Sequence, residues 1–214
     1  MKYKAVLFDM DGTVLDTLDD LRDSVNYSLS RFGFPERSRE YVAASLGNGA
    51  AFLIKRCAPE DIDSDTCNAL LAFYKDWYDA HALIKTAPYA GITSLADKLA
   101  QAGIKTAIIS NKPHSAVIPL AGKFFPGIYS VGEKPGIARK PAPDPVLAVM
   151  DAFGLKPEDC VYIGDTEVDL MTARAAGCDC IAVTWGFRSE QELIAAGAKV
   201  ICHSTDELEE ILLG

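Results

Sequence analysis

The pattern of apolar positions divides most of the chain into short strands and amphipathic helices. A continuous apolar run predicts a buried strand at 5–8. Similar runs predict further strands at 104–109, 128–131, 160–163, 178–183 and 199–202. Apolar residues at helical spacing predict intervening helices at 92–102, 113–123, 144–153, 168–176, 189–196 and 205–213. Because strands that alternate with helices form parallel βαβ units, we predict an α/β fold with a doubly wound parallel sheet.

The segment 16–85 interrupts this alternation. Its apolar spacing predicts helices at 18–32 and 65–81, and the rest of the segment has helical patterns without a convincing strand. We therefore predict two domains. One is an α/β core formed by 1–15 and 86–214, and the other is an inserted all-helical cap domain formed by the interrupting segment.

Composition and charge narrow the class of protein. The chain has 214 residues, of which 49% are hydrophobic, enough for a substantial core. Its formal net charge of −9 argues against binding to nucleic acid or to an anionic membrane. No apolar run reaches the roughly 18 to 20 residues of a membrane span. The run that precedes Asp9 is too short for a signal peptide.

The six cysteines give no sign of a metal site or a disulfide framework. None forms a Cys-x-x-Cys pair, and Cys178 and Cys180 alternate along a predicted strand, so their side chains should face opposite sides of the sheet. We therefore expect free thiols and a cytoplasmic location. We also expect a monomer or a homodimer.

Polar residues that could carry chemistry directly follow the first predicted strand. Asp9 and Asp11 stand at its carboxyl end, where open α/β sheets place their ligands, and Gly12 lets the chain turn sharply. The two carboxylates repel each other, and a hard cation such as Mg²⁺ between them would remove that cost. One carboxylate could then act as a nucleophile. A plain acidic turn or a calcium loop would fit the same spacing.

Two later loops place further polar groups near predicted strand ends. The strand at 104–109 is followed by Ser110 and Asn111, whose hydroxyl and amide suit a phosphate oxygen but also suit a helix cap. Lys140 lies in a loop that is stiffened by prolines. A lysine fixed in this way could offset the charge of a nucleophilic carboxylate and a phosphate, although most lysines are simply exposed.

A third loop follows the strand at 160–163. Asp165 stands at the end of that strand, and Asp169 lies one helical turn later on the same face. Acidic residues are also common at helix N-termini, where they interact favourably with the helix dipole. A third predicted strand that is followed by polar residues, here including a carboxylate, nevertheless favours a shared site.

Together these segments resemble the haloacid dehalogenase-like superfamily of aspartyl-phosphate phosphotransferases. The matching residues are Asp9-Met10-Asp11-Gly12-Thr13, Ser110-Asn111-Lys112, Lys140-Pro141-Ala142-Pro143, and Gly164-Asp165 with Asp169. They span most of the predicted core, and the helical insertion after the first motif resembles the small cap of one large subgroup. The resemblance implies a Rossmann-like core, phosphoryl-transfer chemistry and Mg²⁺ as the cofactor.

The resemblance also implies a role for each matching residue. Asp9 would attack phosphorus, and Asp11 would donate a proton to the leaving oxygen. Mg²⁺ would be bound by a carboxylate oxygen of Asp9, the backbone carbonyl of Asp11 and Asp165. Lys140 would neutralise charge around the nucleophile, and Asp169 would orient Lys140 or metal-bound water. The residues implied to hold the phosphoryl group are Gly12, Thr13, Ser110 and Asn111.

Within this superfamily the segments 88–91, 110–113 and 139–145 are most similar to phosphoglycolate phosphatases. The implied partner is a small phosphorylated metabolite, with 2-phosphoglycolate the leading candidate. Asp11 argues against a dehalogenase, because displacing a halide needs no acid. A β-phosphoglucomutase-like mutase would share the cap and the motifs, but it usually has Val at the position of Thr13. A pyrophosphatase or nucleotidase remains open, as does a non-catalytic protein that binds a phosphate ligand.

Substrate choice is expected to depend on the cap. Its most loop-like stretch contains Gly47-Asn48-Gly49, which either reaches into the active site or forms a plain turn between helices. Lys55 and Arg56 are candidates for binding a substrate carboxylate, although charged residues on a helix more often face solvent.

Overall fold

The computed structural model describes residues 2–214. In chain order its elements are β1 (Ala5–Phe8), β2 (Leu15–Asp16), α1 (Leu18–Arg31), α2 (Arg39–Ala44), α3 (Ala50–Cys57), α4 (Ser64–His81), β3 (Ala87–Pro88), α5 (Ile92–Gln101), β4 (Lys105–Pro113), α6 (His114–Phe124), β5 (Tyr129–Glu133), α7 (Asp144–Phe153), β6 (Cys160–Gly164), α8 (Glu167–Ala176), β7 (Asp179–Val183), α9 (Glu190–Ala195), β8 (Ile201–Cys202) and α10 (Thr205–Leu213). None of the helices among these residues is long and apolar enough to cross a membrane.

Six parallel strands form the central sheet, in the order β5-β4-β1-β6-β7-β8. β1 lies in the interior of the sheet, where Leu7 pairs with Ala107 of β4 and with Tyr162 of β6. The later strands extend from β1 in both directions, so the strand order reverses beside its carboxyl end. Open α/β sheets bind their ligands at such a point. The predicted doubly wound parallel sheet is confirmed.

Helices cover both faces of the sheet because successive strand residues point to opposite sides. In β1, Val6 and Phe8 pack with residues of α5, α6 and α10 in one apolar cluster. Ala5 and Leu7 pack with residues of α7 and α8 in a second cluster. All four side chains are buried, which explains why the strand is apolar at every position.

The helices α1–α4 form an apolar cluster largely of their own, which includes Val25, Ile54 and Leu70. The predicted all-helical insertion is therefore confirmed. The chain enters and leaves it through an antiparallel ribbon, β2–β3, in which Leu15 pairs with Pro88. This ribbon was not predicted, because strands of two residues show no periodicity in the sequence.

β4 differs from its predicted bounds. The sequence predicts that the strand ends at Ile109 and that a helix starts at Pro113. The structure extends β4 through Pro113, and α6 begins at His114. The pairing of β4 with β5 shifts register between Ile109 and Pro113, so the strand is irregular over these residues. Ser110 therefore lies on an extended backbone and not at a helix N-terminus.

Candidate active site

The carboxyl ends of β1, β4 and β6 bring the predicted site residues together. Asp9 directly follows β1, Ser110 lies near the end of β4, and Asp165 directly follows β6. These strands are parallel neighbours, so their carboxyl ends meet at one edge of the sheet. Carboxylate oxygens of Asp9, Asp165 and Asp169 lie within 4.8 Å of one another, and all three residues are buried.

Lys140 places its ammonium group between two of these carboxylates. Its Nζ lies 2.9 Å from Oδ1 of Asp9 and 2.8 Å from Oδ1 of Asp169. It also donates to the Tyr162 hydroxyl at 2.9 Å. Burial alone would lower the pKa of Lys140, but the carboxylates of Asp169 and Asp9 hold that pKa well above its ordinary value. The ammonium therefore stays charged inside the protein.

Asp169 is fixed by the residue that precedes α8. Its Oδ2 accepts hydrogen bonds from the backbone nitrogen and the hydroxyl of Thr166, at 3.1 and 2.7 Å. Its Oδ1 accepts from Lys140. Both carboxylate oxygens thus have protein donors. Because Oδ1 is bonded directly to the Lys140 ammonium, Asp169 is placed to orient that lysine.

Asp165 is held from two directions. Its Oδ1 accepts a hydrogen bond from the Thr13 hydroxyl at 2.8 Å, and its Oδ2 accepts one from the backbone nitrogen of Phe187 at 2.8 Å. Burial raises the pKa of Asp165 well above its ordinary value, and the nearby carboxylates of Asp169 and Asp9 raise that pKa further. In this structure the Thr13 hydroxyl faces the Asp165 carboxylate, and its contact with a phosphoryl group stays a prediction.

Glycines surround these carboxylates closely. A Cβ atom on Gly12 or Gly186 would collide with the Asp165 side chain, and one on Gly164 would collide with Asp169. Gly12 also has φ +83°, a backbone conformation that residues with a side chain rarely adopt. The loops can therefore approach the carboxylates only because these positions lack a side chain.

The buried cluster carries more negative than positive charge. Asp9, Asp165 and Asp169 contribute three carboxylates and Lys140 one ammonium, which leaves a net charge of −2 when all are ionised. Burial raises the pKa of Asp9 to about 7, against the opposing effect of the Lys140 ammonium. A divalent cation would restore neutrality, and a set of oxygen donors suits Mg²⁺. The residues present therefore fit the predicted cofactor.

Asp11 lies at the boundary between the core and the helical insertion. Its Oδ1 accepts a hydrogen bond from the Thr17 hydroxyl at 2.7 Å and lies 3.2 Å from Nζ of Lys112. Lys112 in turn donates to the hydroxyl of Tyr78 in α4 at 2.7 Å. Asp11 is thus connected through one lysine to the longest cap helix.

Ser110 and Asn111 are adjacent but have different surroundings. Oγ of Ser110 accepts a hydrogen bond from the backbone nitrogen of Lys112 at 3.1 Å, which leaves its hydroxyl hydrogen for another acceptor. Nδ2 of Asn111 donates to the carbonyl oxygens of Gly47 and Lys140, at 2.9 and 2.8 Å. Both N–H groups of that amide are used. In this structure the Asn111 side chain joins the cap loop to the core, and its contact with phosphate stays a prediction.

The loop between α2 and α3 lies against the active site, as one of the two alternatives for Gly47-Asn48-Gly49 states. The Gly47 carbonyl binds Asn111, and a Cβ on Gly49 would lie only 3.2 Å from the Asn111 carbonyl oxygen. Gly49 has φ +81°, so glycine also suits the backbone there. Asn48, between them, is half-buried.

Arg188 holds the same loop from the core side. Its Nη1 donates to the Ala43 carbonyl at 3.1 Å, and its Nη2 donates to the Leu46 carbonyl at 3.0 Å. The guanidinium also forms two hydrogen bonds with the Glu167 carboxylate, at 2.8 and 3.1 Å. One buried side chain therefore connects α8 to the end of α2.

A cavity of about 50 Å³ lies between the sheet edge and the cap. The core side presents mainly polar groups, from Asp9, Asp11, Ser110, Asn111 and Lys112. The cap side is mainly apolar and is formed by Leu21, Leu46, Ala50, Leu53, Tyr74 and Tyr78, with Lys75 and Asp79 at α4. The cavity is therefore mainly polar on the core side and mainly apolar on the cap side, as small-molecule sites commonly are.

Comparison with known proteins supports the family expected from these motifs. Residues 6–183 match the family model described as haloacid dehalogenase-like hydrolase. The chain belongs to the haloacid dehalogenase-like hydrolase family.

The same hydrolase is similar over nearly its whole length to proteins with a narrower name. It is 33% identical over 220 residues to phosphoglycolate phosphatase 1 of Pseudomonas aeruginosa, across 98% of this chain and 78% of that protein. It is 33% identical over 222 residues to the phosphoglycolate phosphatase of Pseudomonas putida, across 99% and 79% of the two chains. A crystal structure from Lactobacillus delbrueckii subsp. bulgaricus, provisionally described as a phosphoglycolate phosphatase, covers 100% of both chains with 39% identity and a TM-score of 0.94.

The site of this hydrolase also contains residues that the sequence did not single out. Thr17 donates to Asp11, which lies 6 residues away in the chain, and Tyr78 accepts from Lys112, which lies 34 residues away. Arg188 donates to the Ala43 carbonyl, which lies 145 residues away. No local motif marks such pairs. For Arg188 one signal was available, because it follows the carboxyl end of β7 and therefore lies at the same sheet edge.

Proposed function

We propose that this hydrolase is a magnesium-dependent phosphatase that hydrolyses a small phosphomonoester through an aspartyl-phosphate intermediate. The observation that carries the proposal is the buried cluster of Asp9, Asp165 and Asp169 at the sheet edge, in which the Lys140 ammonium contacts two of the three carboxylates. Similarity to phosphoglycolate phosphatases over nearly the whole chain supports both the phosphatase chemistry and 2-phosphoglycolate as the leading substrate.

Among the three carboxylates of the buried cluster, Asp9 is the proposed nucleophile because only one of its oxygens is held by the protein. Oδ1 accepts from the backbone nitrogen of Met10 at 2.7 Å and lies 2.9 Å from Nζ of Lys140. Within residues 2–214, no buried side-chain oxygen or nitrogen lacks a hydrogen-bond partner. Oδ2 of Asp9, which has no protein donor there, is therefore accessible from the cavity that Asp9 lines. This oxygen would attack phosphorus.

Mg²⁺ would be held by a carboxylate oxygen of Asp9, the backbone carbonyl of Asp11 and Asp165. When bound, it would supply the positive charge that lets an anionic nucleophile approach an anionic phosphoryl group. Lys140 would add a second positive charge, and Asp169 would keep that lysine in place.

Two residues on the cavity side complete the proposed chemistry. Asp11 would donate a proton to the leaving oxygen and later accept one from the attacking water. Ser110 would donate its hydroxyl hydrogen to a phosphoryl oxygen. Thr13 and Asn111 would fix the Asp165 carboxylate and the cap loop, in addition to their predicted role of holding the phosphoryl group. Gly12 would allow the close approach of the loop.

We further propose that the segment 16–85 is a cap domain that opens for substrate and closes to exclude water. It would move about the β2–β3 ribbon, beside which Asp20 accepts hydrogen bonds from the backbone nitrogens of Lys85 and Thr86 at 2.8 to 3.0 Å. The cavity of about 50 Å³ suits a leaving group of only a few atoms, such as glycolate. All six cysteines are free, which supports a cytoplasmic location.

Phosphate release from a panel of phosphate compounds tests the proposal. The panel contains 2-phosphoglycolate, sugar phosphates, nucleoside monophosphates and pyrophosphate, each assayed with Mg²⁺ and with a chelator. We expect the fastest release from 2-phosphoglycolate, and only with the metal. Asp9→Asn keeps the shape of the side chain but removes its charge, so kcat should fall by at least about 10⁴-fold.

Asp97→Asn is the matched control, because Asp97 lies exposed on α5 and should tolerate the change. Activity that persists in chelator, or in Asp9→Asn, would contradict the proposed mechanism. Faster release from another member of the panel would replace 2-phosphoglycolate as the substrate and leave the mechanism intact.

A further inference from the structure

Lys112 is a buried lysine that the proposed mechanism does not use. Its side chain is only 4% exposed, at the end of β4. Its Nζ donates to the Tyr78 hydroxyl at 2.7 Å and lies 4.2 Å from the centre of the Tyr78 ring. Lysines are rarely buried without a charged partner. The carboxylate of Asp11 supplies that partner at 3.2 Å.

The ion pair between Lys112 and Asp11 is loose. Charge-assisted N–H···O bonds are typically about 2.7–2.9 Å long, and this one is longer. The same Oδ1 of Asp11 also accepts a shorter bond, of 2.7 Å, from the Thr17 hydroxyl. Lys112 also lines the cavity, so its ammonium can reach a ligand there. A stronger anionic ligand in the cavity can therefore compete with Asp11 for Lys112.

The other cations near the cavity are less suitable for binding a substrate anion. Lys140 is already paired with two carboxylates. Lys75 lines the cavity from α4 but is exposed to solvent. Lys55 and Arg56, which the sequence suggested for this task, are also exposed, on α3, and do not line the cavity. Lys112 is thus the buried cation at the cavity that is not committed to the catalytic cluster.

We propose that Lys112 and the Tyr78 hydroxyl form a subsite for a carboxylate carried by the leaving group. The inference rests on the proposed function, in which Asp11 contacts the ester oxygen through a hydrogen bond of about 3 Å. Nζ of Lys112 lies 3.2 Å from the same Asp11 carboxylate. A carboxylate on the carbon next to the ester oxygen therefore comes within reach of Nζ. The preferred substrates are phosphomonoesters of α-hydroxy acids.

Kinetics with a matched pair of substrates test the subsite. 2-Phosphoglycolate and 2-phosphoglycolamide share one skeleton, and the group that Lys112 would bind is a carboxylate in the first and a neutral amide in the second. Lys112→Met removes the ammonium and keeps most of the stem. We expect kcat/KM for 2-phosphoglycolate to fall about 10- to 100-fold more than kcat/KM for the amide, mainly through KM. Equal losses on both substrates would overturn the proposal.

Two further variants separate recognition from folding. Tyr78→Phe removes only the hydroxyl and should reduce the preference for the charged substrate in the same direction, by less than Lys112→Met. Lys75→Met alters the exposed lysine at the same cavity and should leave the preference within about threefold of wild type. A preference that depends on Lys75 and not on Lys112 would move the subsite to α4 and overturn the proposal.

A binding measurement distinguishes failure of the subsite from failure of the proposed function. 3-Phosphonopropionate and propylphosphonate are not hydrolysed and differ by a carboxylate in place of a methyl group. Titration calorimetry with Mg²⁺ should show that wild type binds the carboxylate compound more tightly and that Lys112→Met removes this difference. If no phosphomonoester is hydrolysed, the proposed function fails, and this comparison still judges the subsite. A preference that survives in Lys112→Met would refute it.

Discussion

The two walls of the active-site cavity are held together by different interactions. On the core wall, Lys140 lies 2.8–2.9 Å from the carboxylates of Asp9 and Asp169, and all three are buried. On the cap wall, the side chains are mainly apolar, and the loop between α2 and α3 meets the core through the backbone carbonyls of Leu46 and Gly47. The core wall is therefore held by buried ion pairs, whereas the cap wall is mainly apolar and is joined to the core by a few hydrogen bonds.

The largest expected effect comes from removing the Lys140 ammonium, which is paired with two buried carboxylates. Lys140→Met leaves three buried carboxylates without an ammonium, and we expect kcat to fall about 10³-fold or more. Loss of one partner of a buried ion pair should also destabilise the fold, by about 3–5 kcal/mol. Steady-state kinetics and urea unfolding measure the two effects. Lys134→Met, at an exposed lysine, is the control, and a fall in kcat below tenfold would remove Lys140 from the proposed chemistry.

The opposite result is expected in the interior of the cap. Leu70 of α4 is fully buried in the apolar cluster of α1–α4, and Leu70→Ala should lower the free energy of unfolding by about 2–5 kcal/mol. The folded fraction should retain a kcat close to that of wild type, because Leu70 does not line the cavity. Urea unfolding with activity measured in parallel checks this. Leu83→Ala, at a partly exposed position, should cost much less, and a kcat loss that matches that of Lys140→Met would erase the distinction between the walls.

The core wall was predictable from the sequence because its residues stand at the ends of strands. A buried strand such as Ala5–Phe8 is continuously apolar, so the first polar residue marks its carboxyl end. Parallel strands align these ends, which is why Asp9, Ser110 and Asp165 come together although they lie far apart in the chain. The four motifs added the roles, which stay predictions until the variants are measured.

The contacts between the two walls could not be predicted in this way. The irregular end of β4 depends on pairing with β5, and Asn111 points to the cap because of that backbone path. The bond between Lys112 and Tyr78 and the bonds of Arg188 join segments with no common periodicity. Such contacts follow from how α1–α4 pack over the sheet, and a single sequence carries no local signal of that packing.

The smallest expected effect, and the most specific to the contact between the walls, comes from Arg188. Its guanidinium binds two backbone carbonyls of the cap and the Glu167 carboxylate of the core. Arg188→Met keeps the stem and removes all of these bonds, so the closed cap should be less populated and KM should rise about tenfold, with a smaller change in kcat.

Glu167→Gln is the matched comparison, because it removes the charge that orients Arg188 and leaves both bonds to the cap carbonyls possible. We expect it to raise KM by less than Arg188→Met. The double variant should then resemble Arg188→Met alone, since Glu167 acts on the cap only through the guanidinium. Additive effects of the two changes would mean that Glu167 has a separate role. A fall in kcat with KM unchanged would place Arg188 with the core wall, because it would then affect the reaction and not the closure of the cap.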